Sequence, residues 1–209
     1  MTIESPARRH VLGALLLLPA LARCSTTPPS RLYTLAPRPG TPIGRTAETV
    51  MLKRVAAPTD RTAGTVMLKH VEIAKYLDRP QIVRYSGPYE LTISEFDRWA
   101  ESLSDMATRV MAANLAQRLP GCQVLTTSGP LTLKNSDTTI ELNIDKFDVD
   151  PGGNVVLLAQ WVIHHVKTEQ FRSQEIRVAT PSSGISDQVA AMSDALGQLA
   201  NQIAAGVAI

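Results

Sequence analysis

The chain has 209 residues, of which 44% are hydrophobic and 19% charged; this composition fits one hydrophobic core and excludes a disordered protein. Aromatic residues make up only 4%, too few for a surface that stacks the bases of nucleic acids. Residues 1–23 hold Arg8, Arg9, Arg23 and Glu4, and removing them from 21 Lys+Arg and 19 Asp+Glu leaves 18 of each. The remaining chain is neutral, so we expect no nucleic-acid partner.

The first 24 residues are typical of an export segment rather than of a folded element. Arg8 and Arg9 precede the apolar run Val11–Leu18, which has signal-peptide length and is too short to span a bilayer. The sequence Leu-Ala-Arg-Cys at positions 21–24 resembles a bacterial lipobox, in which the cysteine becomes the acylated first residue. Arg23 stands where Gly, Ala or Ser is usual. We predict lipidation at Cys24; the alternative is an ordinary secreted protein cleaved nearby.

A Pro- and Gly-rich segment separates this cysteine from the rest of the chain. Residues 25–46 are rich in Ser, Thr, Pro and Gly, which predicts a semi-rigid tether in front of a domain formed by residues 47–209. Within the tether, Arg31–Leu35 alternates like an edge strand.

The pentapeptide TVMLK occurs twice, at residues 49–53 and 65–69. No third copy follows, which excludes a solenoid. Only the second copy leads into a block of distinctive residues that begins at Tyr76. We therefore predict that Thr65–Ile73 is a central strand of a sheet. The first copy is predicted to be a local duplication, paired beside it as a hairpin or lying at the sheet edge.

The middle of the chain carries both strand and helix signals. Short runs of β-branched and aromatic residues predict strands over Gln81–Tyr85 and Tyr89–Ile93. Ser94 is typical of an N-cap, which predicts a short helix over Glu95–Glu101. Apolar residues at helical spacing predict a longer helix over residues 102–119.

The last third is the most regular part of the sequence. Strict alternation predicts a strand over Thr139–Asp145, with a bulge near Lys146 where the alternation slips by one residue. A hairpin turn at residues 150–154 leads into strands over Val155–Val166 and Gln170–Ala179.

A stripe of apolar residues spaced four and three apart then predicts an amphipathic helix over residues 185–207; its members are Ile185, Val189, Met192, Leu196, Leu199 and Ile203. Together the elements predict one α+β domain, a mainly antiparallel sheet covered on one face by helices 102–119 and 185–207.

Residues that could perform catalysis or bind metal are few. Asp97, Glu101 and Asp105 would share a face of the predicted helices, as a solvated face or as the acidic groups of a hydrolase. Adjacent strand histidines such as His164 and His165 point to opposite faces and do not share a metal easily. Cys122 is predicted to be buried and inert. We therefore predict no catalytic residues, no metal site and no cofactor.

Several motifs follow Cys24 in order along the chain: Tyr33–Leu35, the block YLDRPQIV at Tyr76–Val83, RWAESL at Arg98–Leu103, and AMSDALGQLANQIA in the predicted helix at residues 191–204. Together with Cys24, they resemble the PqiC-type family (paraquat-inducible protein C) of ABC-type transport auxiliary lipoproteins. The chain departs from the family pattern at Arg23, at Ser102 in place of proline, and at Ala74.

The resemblance implies a lipoprotein anchored to the periplasmic face of the outer membrane of a Gram-negative bacterium, and not an enzyme. The implied partners are an MCE-domain protein that forms a lipid-conducting tunnel across the periplasm and its associated permease. A homo-oligomer is also compatible with it. The alternative is a periplasmic carrier that binds a lipid or small ligand between its sheet and helices.

The block that carries the resemblance has two interpretations. Asp78-Arg79-Pro80 predicts a turn, because proline favours extended backbone at the residue before it and aspartate bonds nearby backbone. One interpretation is a structural clasp, in which Arg79 or Arg98 pairs with Asp78 or Asp97. The other is a surface that binds a partner; its candidate residues are Tyr76, Leu77, Asp78, Arg79, Pro80, Arg98 and Trp99.

Overall fold

The computed structural model describes residues 28–43, 64–127 and 136–207. In these ranges the strands are β1 (Arg31–Tyr33), β2 (Gly64–Leu68), β3 (Glu72–Ile73), β4 (Gln81–Gly87), β5 (Glu90–Trp99), β6 (Cys122–Thr126), β7 (Thr138–Val149), β8 (Asn154–His165) and β9 (Glu169–Ala179). The helices are α1 (Leu103–Arg118) and α2 (Ile185–Val207).

The strands form two sheets. The smaller sheet has the order β1-β5-β4, with β1 parallel and β4 antiparallel to β5. The larger sheet has the order β6-β2-β7-β8-β9, and β3 also pairs with β7. Strands β7, β8 and β9 are antiparallel, whereas β2 runs parallel to β6 and to β7. The predicted α+β domain is confirmed; the strands divide between two sheets, and some of them pair in parallel.

The β7–β8 hairpin follows directly from the alternation in the sequence. The inward residues Ile140, Leu142 and Ile144 are buried against the helices. The register with β8 shifts between Ile144 and Lys146, so the predicted bulge is confirmed. The turn closes at Gly153, whose φ of 81° lies in the left-handed region that favours glycine.

Both long helices were predicted correctly. The Ser102 hydroxyl caps α1 by accepting a bond from the backbone N–H of Asp105 (3.5 Å). The α2 stripe is buried except for Ile185, which is half-buried. Its side chains meet those of α1 and of the larger sheet in the main hydrophobic core. Among the described helices, none combines the length and the apolar character needed to span a bilayer.

The helix predicted over residues 95–101 is wrong. This stretch continues β5 as far as Trp99, and Ser94 lies inside the strand. Strand β1 pairs with its end, Trp99 is buried, and Asp97 forms an ion pair with Arg31 (2.8 Å). These contacts with a segment about sixty residues away outweigh a weak local preference for helix.

The second TVMLK copy forms an internal strand, as predicted, but Thr65–Ile73 is broken into β2 and β3. Strand β2 lies between β6 and β7. The break follows from contacts with α1: the Val71 N–H donates to Thr108 Oγ1 (2.9 Å), and Ser104 Oγ donates to the Val71 carbonyl. The first copy lies outside the described residues.

Residues 28–43, which belong to the segment predicted as a tether, pack against the domain. Strand β1 is an edge strand of the smaller sheet, as the alternation of Arg31–Leu35 predicts. Leu35, two residues after its end, is only 1% exposed and belongs to the hydrophobic core. This part of the segment is therefore a structural element of the domain.

The residues after β1, 34–43, form a strap across the two helices. The Arg38 N–H donates to Asn114 Oδ1 of α1 (2.8 Å), and the Ile43 N–H donates to the carbonyl of Arg118 (2.6 Å). The Arg38 guanidinium reaches α2, where it pairs with Asp194 (2.7 Å).

The strap packs against the buried side chain of Arg118, at the end of α1. Its guanidinium is fully buried and donates to Asn201 Oδ1 (2.5 Å), to the Gly197 carbonyl (3.0 Å) and to the Asn114 carbonyl (2.9 Å). Burial lowers the pKa of this guanidinium from its ordinary value. A Cβ atom on Gly40 of the strap would lie 2.2 Å from Arg118 Cζ, so any larger residue at this position would displace the Arg118 guanidinium.

Candidate functional site

The candidate turn occupies residues 74–80, between β3 and β4, and its backbone bonds hold it in place. The Leu77 N–H donates to the Ala74 carbonyl (2.9 Å) and the Arg79 N–H to the Leu77 carbonyl (2.8 Å). The Trp99 N–H donates to the Pro80 carbonyl (2.7 Å). The turn is therefore joined directly to the end of β5.

The candidate residues divide into a buried and an exposed group. Leu77 and Trp99 are only 3% and 5% exposed, so they belong to the core beneath the turn. Asp78, Arg79 and Pro80 are exposed. The turn thus presents Asp-Arg-Pro outward.

Tyr76 and Arg98, the two remaining candidates, are half-buried. The Arg98 Nε donates weakly to the Glu95 carbonyl (3.4 Å). Asp97, which was expected to pair with Arg79 or Arg98, pairs with Arg31 of β1 instead. Backbone hydrogen bonds therefore hold the turn against β5, and the ion pair between Asp97 and Arg31 joins β5 to β1.

Beneath the turn lies a polar cluster that sequence reasoning missed. The Tyr76 hydroxyl donates to Asp148 Oδ2 (2.6 Å), and Asp148 is only 1% exposed. Lys146 Nζ lies 3.7 Å from Asp148 Oδ1 and 4.2 Å from the centroid of the Tyr85 ring. The rings of Tyr76 and Tyr85 meet edge to face with centroids 6.5 Å apart. The cluster joins the turn, the bulged end of β7 and β4, and hence the two sheets.

The only sequence signal for this cluster is the run Asp145-Lys-Phe-Asp148, where the alternation slips. Asp148 pairs with Val156 on the face of the sheet opposite Phe147, as the slipped alternation predicts for an outward residue. It is nonetheless buried, because Tyr76 of the turn packs over it. Burial raises the pKa of Asp148, more than the Tyr76 hydroxyl and Lys146 lower it. Burial together with the bond to Asp148 also raises the pKa of Tyr76.

Replacing Asp148 separates the roles of its charge and its hydrogen bond. Asp148→Asn keeps an acceptor for the Tyr76 hydroxyl and removes a buried charge, so the free energy of unfolding is expected to change by less than about 1 kcal/mol. Asp148→Ala leaves that hydroxyl unpaired and is expected to cost about 2 kcal/mol. Urea denaturation of both variants measures the difference; equal losses would contradict the assigned bond.

The pH dependence of stability, compared between wild type and Asp148→Asn, tests the raised pKa of Asp148. Between the ordinary pKa of an aspartate in the unfolded chain, 3.8, and the higher pKa of Asp148 in the folded protein, the native state binds more protons than the unfolded state. The contribution of Asp148 to stability therefore grows as the pH falls through that window and is lost as the pH rises. Relative to Asp148→Asn, wild type is expected to gain stability from about pH 7 to about pH 4.

The acidic residues considered for hydrolysis do not form one site. Asp97 lies in β5, Glu101 in the following loop and Asp105 in α1, so the expectation that they share a helix face is wrong. Glu101 is paired with Arg109. Within the described ranges, no group of His, Cys, Asp and Glu side chains could hold a metal ion. Cys122 is only half-buried, so the prediction of a buried thiol is wrong. Partial burial still raises the pKa of the thiol, which disfavours the reactive thiolate.

Two grooves open on the larger sheet. One, of about 460 Å³, is lined by Lys69, Glu141, Trp161 and Phe171 among others. The other, of about 680 Å³, lies near Cys122 at the other end of the sheet. Both are surface grooves, outside the core between sheet and helices.

Comparison with known proteins gives a family and a fold. Residues 48–204 match the family model described as ABC-type transport auxiliary lipoprotein component. The crystal structure of an uncharacterized protein has a TM-score of 0.68 at 20% identity, covering 86% of this chain and 99% of that one. Protein XCC0632 from Xanthomonas campestris, of family DUF330, has a TM-score of 0.62 at 16% identity, with 85% and 95% covered.

At these identities the solved structures show the shared fold alone, and no curated protein sequence matches the chain. The family model, in contrast, spans most of the chain and includes the turn, both helices and the two sheets except β1. The chain belongs to the family of ABC-type transport auxiliary lipoprotein components, as its sequence motifs predicted.

Proposed function

We propose that the chain is the outer-membrane-anchored subunit of an intermembrane lipid transport system, and that it docks a periplasmic MCE-domain tunnel protein to that membrane. The observation that carries the proposal is the family match over residues 48–204, because the family consists of lipoproteins auxiliary to ABC-type transport. Cys24 is the proposed acylation site. Ser25 rather than aspartate after it is compatible with sorting to the outer membrane.

The packed core supports a docking role over a carrier role. A carrier would hold its ligand in an apolar space between sheet and helices. That space is filled by side chains with no exposed surface, among them Met111, Leu157 and Leu196. An acyl chain that co-purifies with the protein inside this core would favour the carrier instead.

The exposed part of the turn is the proposed contact with the tunnel protein. Arginine is enriched at binding hot spots, and Arg79 projects from a backbone that five hydrogen bonds within and beside the turn hold in place. Buried Leu77 and Trp99 support this geometry from below. A rigid support of this kind reduces the entropy lost when the partner binds. The role proposed here is therefore binding rather than catalysis.

Replacing the exposed pair of the turn tests this contact. The double variant Asp78→Ala, Arg79→Ala is expected to weaken binding of the MCE-domain partner by about thirtyfold, corresponding to a hot spot of about 2 kcal/mol. Its melting temperature should match wild type, since both side chains are exposed. Titration of the purified partner measures the affinity.

Arg172 on β9 provides the matched control. It is exposed like Arg79 but lies on the larger sheet. Arg172→Ala should leave the affinity unchanged. Equal affinity of wild type and the double variant would show that the partner contacts another surface.

A further inference from the structure

Exposed apolar side chains concentrate on the smaller sheet. Of the seven large hydrophobic side chains that the described residues expose, five lie on this sheet or its connecting turn, and we call these five the apolar group: Leu32, Tyr89, Leu91, Ile93 and Phe96. The other two, Val166 and Phe171, lie on or beside the larger sheet. A concentration of this kind marks an interaction surface more often than scattered single residues do.

The architecture of the hairpin β4–β5 explains the exposure. Strand β1 pairs only with residues 97–99 of β5. Along residues 90–96, β5 therefore has β4 on one side and no strand of the described chain on the other. At the tip of the hairpin Tyr89 is 99% exposed. The rest of the described domain therefore does not pack over the end of this hairpin.

The path of the chain places this sheet next to the proposed lipid anchor. The strap, residues 34–43, is bonded to both helices, so β1 has a fixed position on the domain. Only six residues, 25–30, separate Cys24 from Arg31, the first residue of β1. Fully extended, the seven Cα–Cα steps from Cys24 to Arg31 span at most about 25 Å. The tether is therefore short, and the sheet that contains β1 is the part of the domain at its end.

We propose that the smaller sheet, with Tyr89 and its apolar neighbours, rests on the phospholipid surface in which the Cys24 acyl chains are embedded. This inference rests on the proposed function, because it requires the anchor. Apolar and tyrosine side chains favour the boundary between headgroups and acyl chains. Charged residues of both signs, among them Arg31, Glu90 and Glu95, are exposed on the same sheet. The contact therefore depends on apolar burial and only weakly on lipid charge or salt.

Depth-dependent quenching tests the proposal on the acylated full chain. A fluorophore sensitive to polarity is attached at Tyr89→Cys, in a Cys122→Ala background that leaves Cys24 for acylation. The protein is reconstituted into vesicles of phosphatidylethanolamine and phosphatidylglycerol that contain acyl chains with nitroxide groups. The matched control carries the fluorophore at Phe171→Cys, an exposed aromatic position on the larger sheet.

The proposal predicts blue-shifted emission and severalfold stronger quenching at position 89 than at position 171, with little change in high salt. Equal quenching at the two positions in vesicle-bound protein would overturn the inference and leave the anchor intact. In that case the unpaired edge of β5 would be the place where a strand of a partner protein pairs. A protein that is not acylated and does not float with the vesicles would overturn both the inference and the proposed function.

Discussion

Replacing Arg118 by alanine is expected to lower the free energy of unfolding by roughly 3 to 5 kcal/mol. The side chain is fully buried and bonds three acceptors, on α1 and on α2. Its Nη1 also approaches the carbonyl of Arg38 in the strap (3.3 Å). The variant leaves a void and removes charge-assisted bonds that no other side chain in the described ranges replaces. Chemical denaturation followed by circular dichroism measures the loss.

Arg109, on the exposed side of the same helix, is the matched control. Its ion pair with Glu101 is solvent-exposed, so Arg109→Ala should cost no more than about 1 kcal/mol. The loss of stability for Arg118→Lys should lie between those for Arg118→Ala and Arg109→Ala. Lysine keeps the charge but lacks the planar guanidinium that reaches several acceptors. A loss below about 1 kcal/mol for Arg118→Ala would contradict the role assigned to this side chain.

Replacing Cys24 by alanine is expected to move essentially all of the protein from the membrane fraction to the soluble periplasmic fraction. Two or more acyl chains give stable anchoring, at about 0.8 kcal/mol for each buried CH₂ group, which no peripheral contact of this domain equals. The folded domain should be unaffected, because Cys24 precedes the described residues. Fractionation after an alkaline carbonate wash, which removes peripheral proteins, measures the shift.

Cys122→Ala serves as the control for loss of a thiol, and it should remain with the membrane. Retention of Cys24→Ala in washed membranes would show that something other than acylation holds the protein there. Release of the wild type into the soluble fraction would show that Arg23 prevents processing at the lipobox.

Elements governed by local periodicity could be predicted from the sequence. The α2 stripe, the helix over residues 102–119 and the slip near Lys146 each depend on neighbouring residues, and all three are confirmed. The short helix over residues 95–101 was wrong because its actual partner, β1, lies far away in the sequence. Pairing between distant segments leaves little local signal.

The position of the candidate site could be predicted from the sequence, but the side-chain contacts that support it could not. The block that begins at Tyr76 does form a turn, with Asp78 and Arg79 exposed as an outward surface. The cluster beneath that turn was not predictable, because Asp148 has the position of an outward strand residue and is buried by a turn from a distant part of the sequence. The burial of Arg118 was not predictable either, because an arginine in the last turn of a helix usually interacts with the helix dipole at the surface.

Co-purification from separated membranes tests whether the protein joins the outer membrane to an MCE-domain partner. Inner and outer membranes are separated on a density gradient, solubilised in mild detergent, and the tagged wild-type protein is captured from each. We expect the protein to be recovered from the outer membrane together with an MCE-domain protein. Recovery from the outer membrane without such a partner, or from the inner membrane alone, would contradict it.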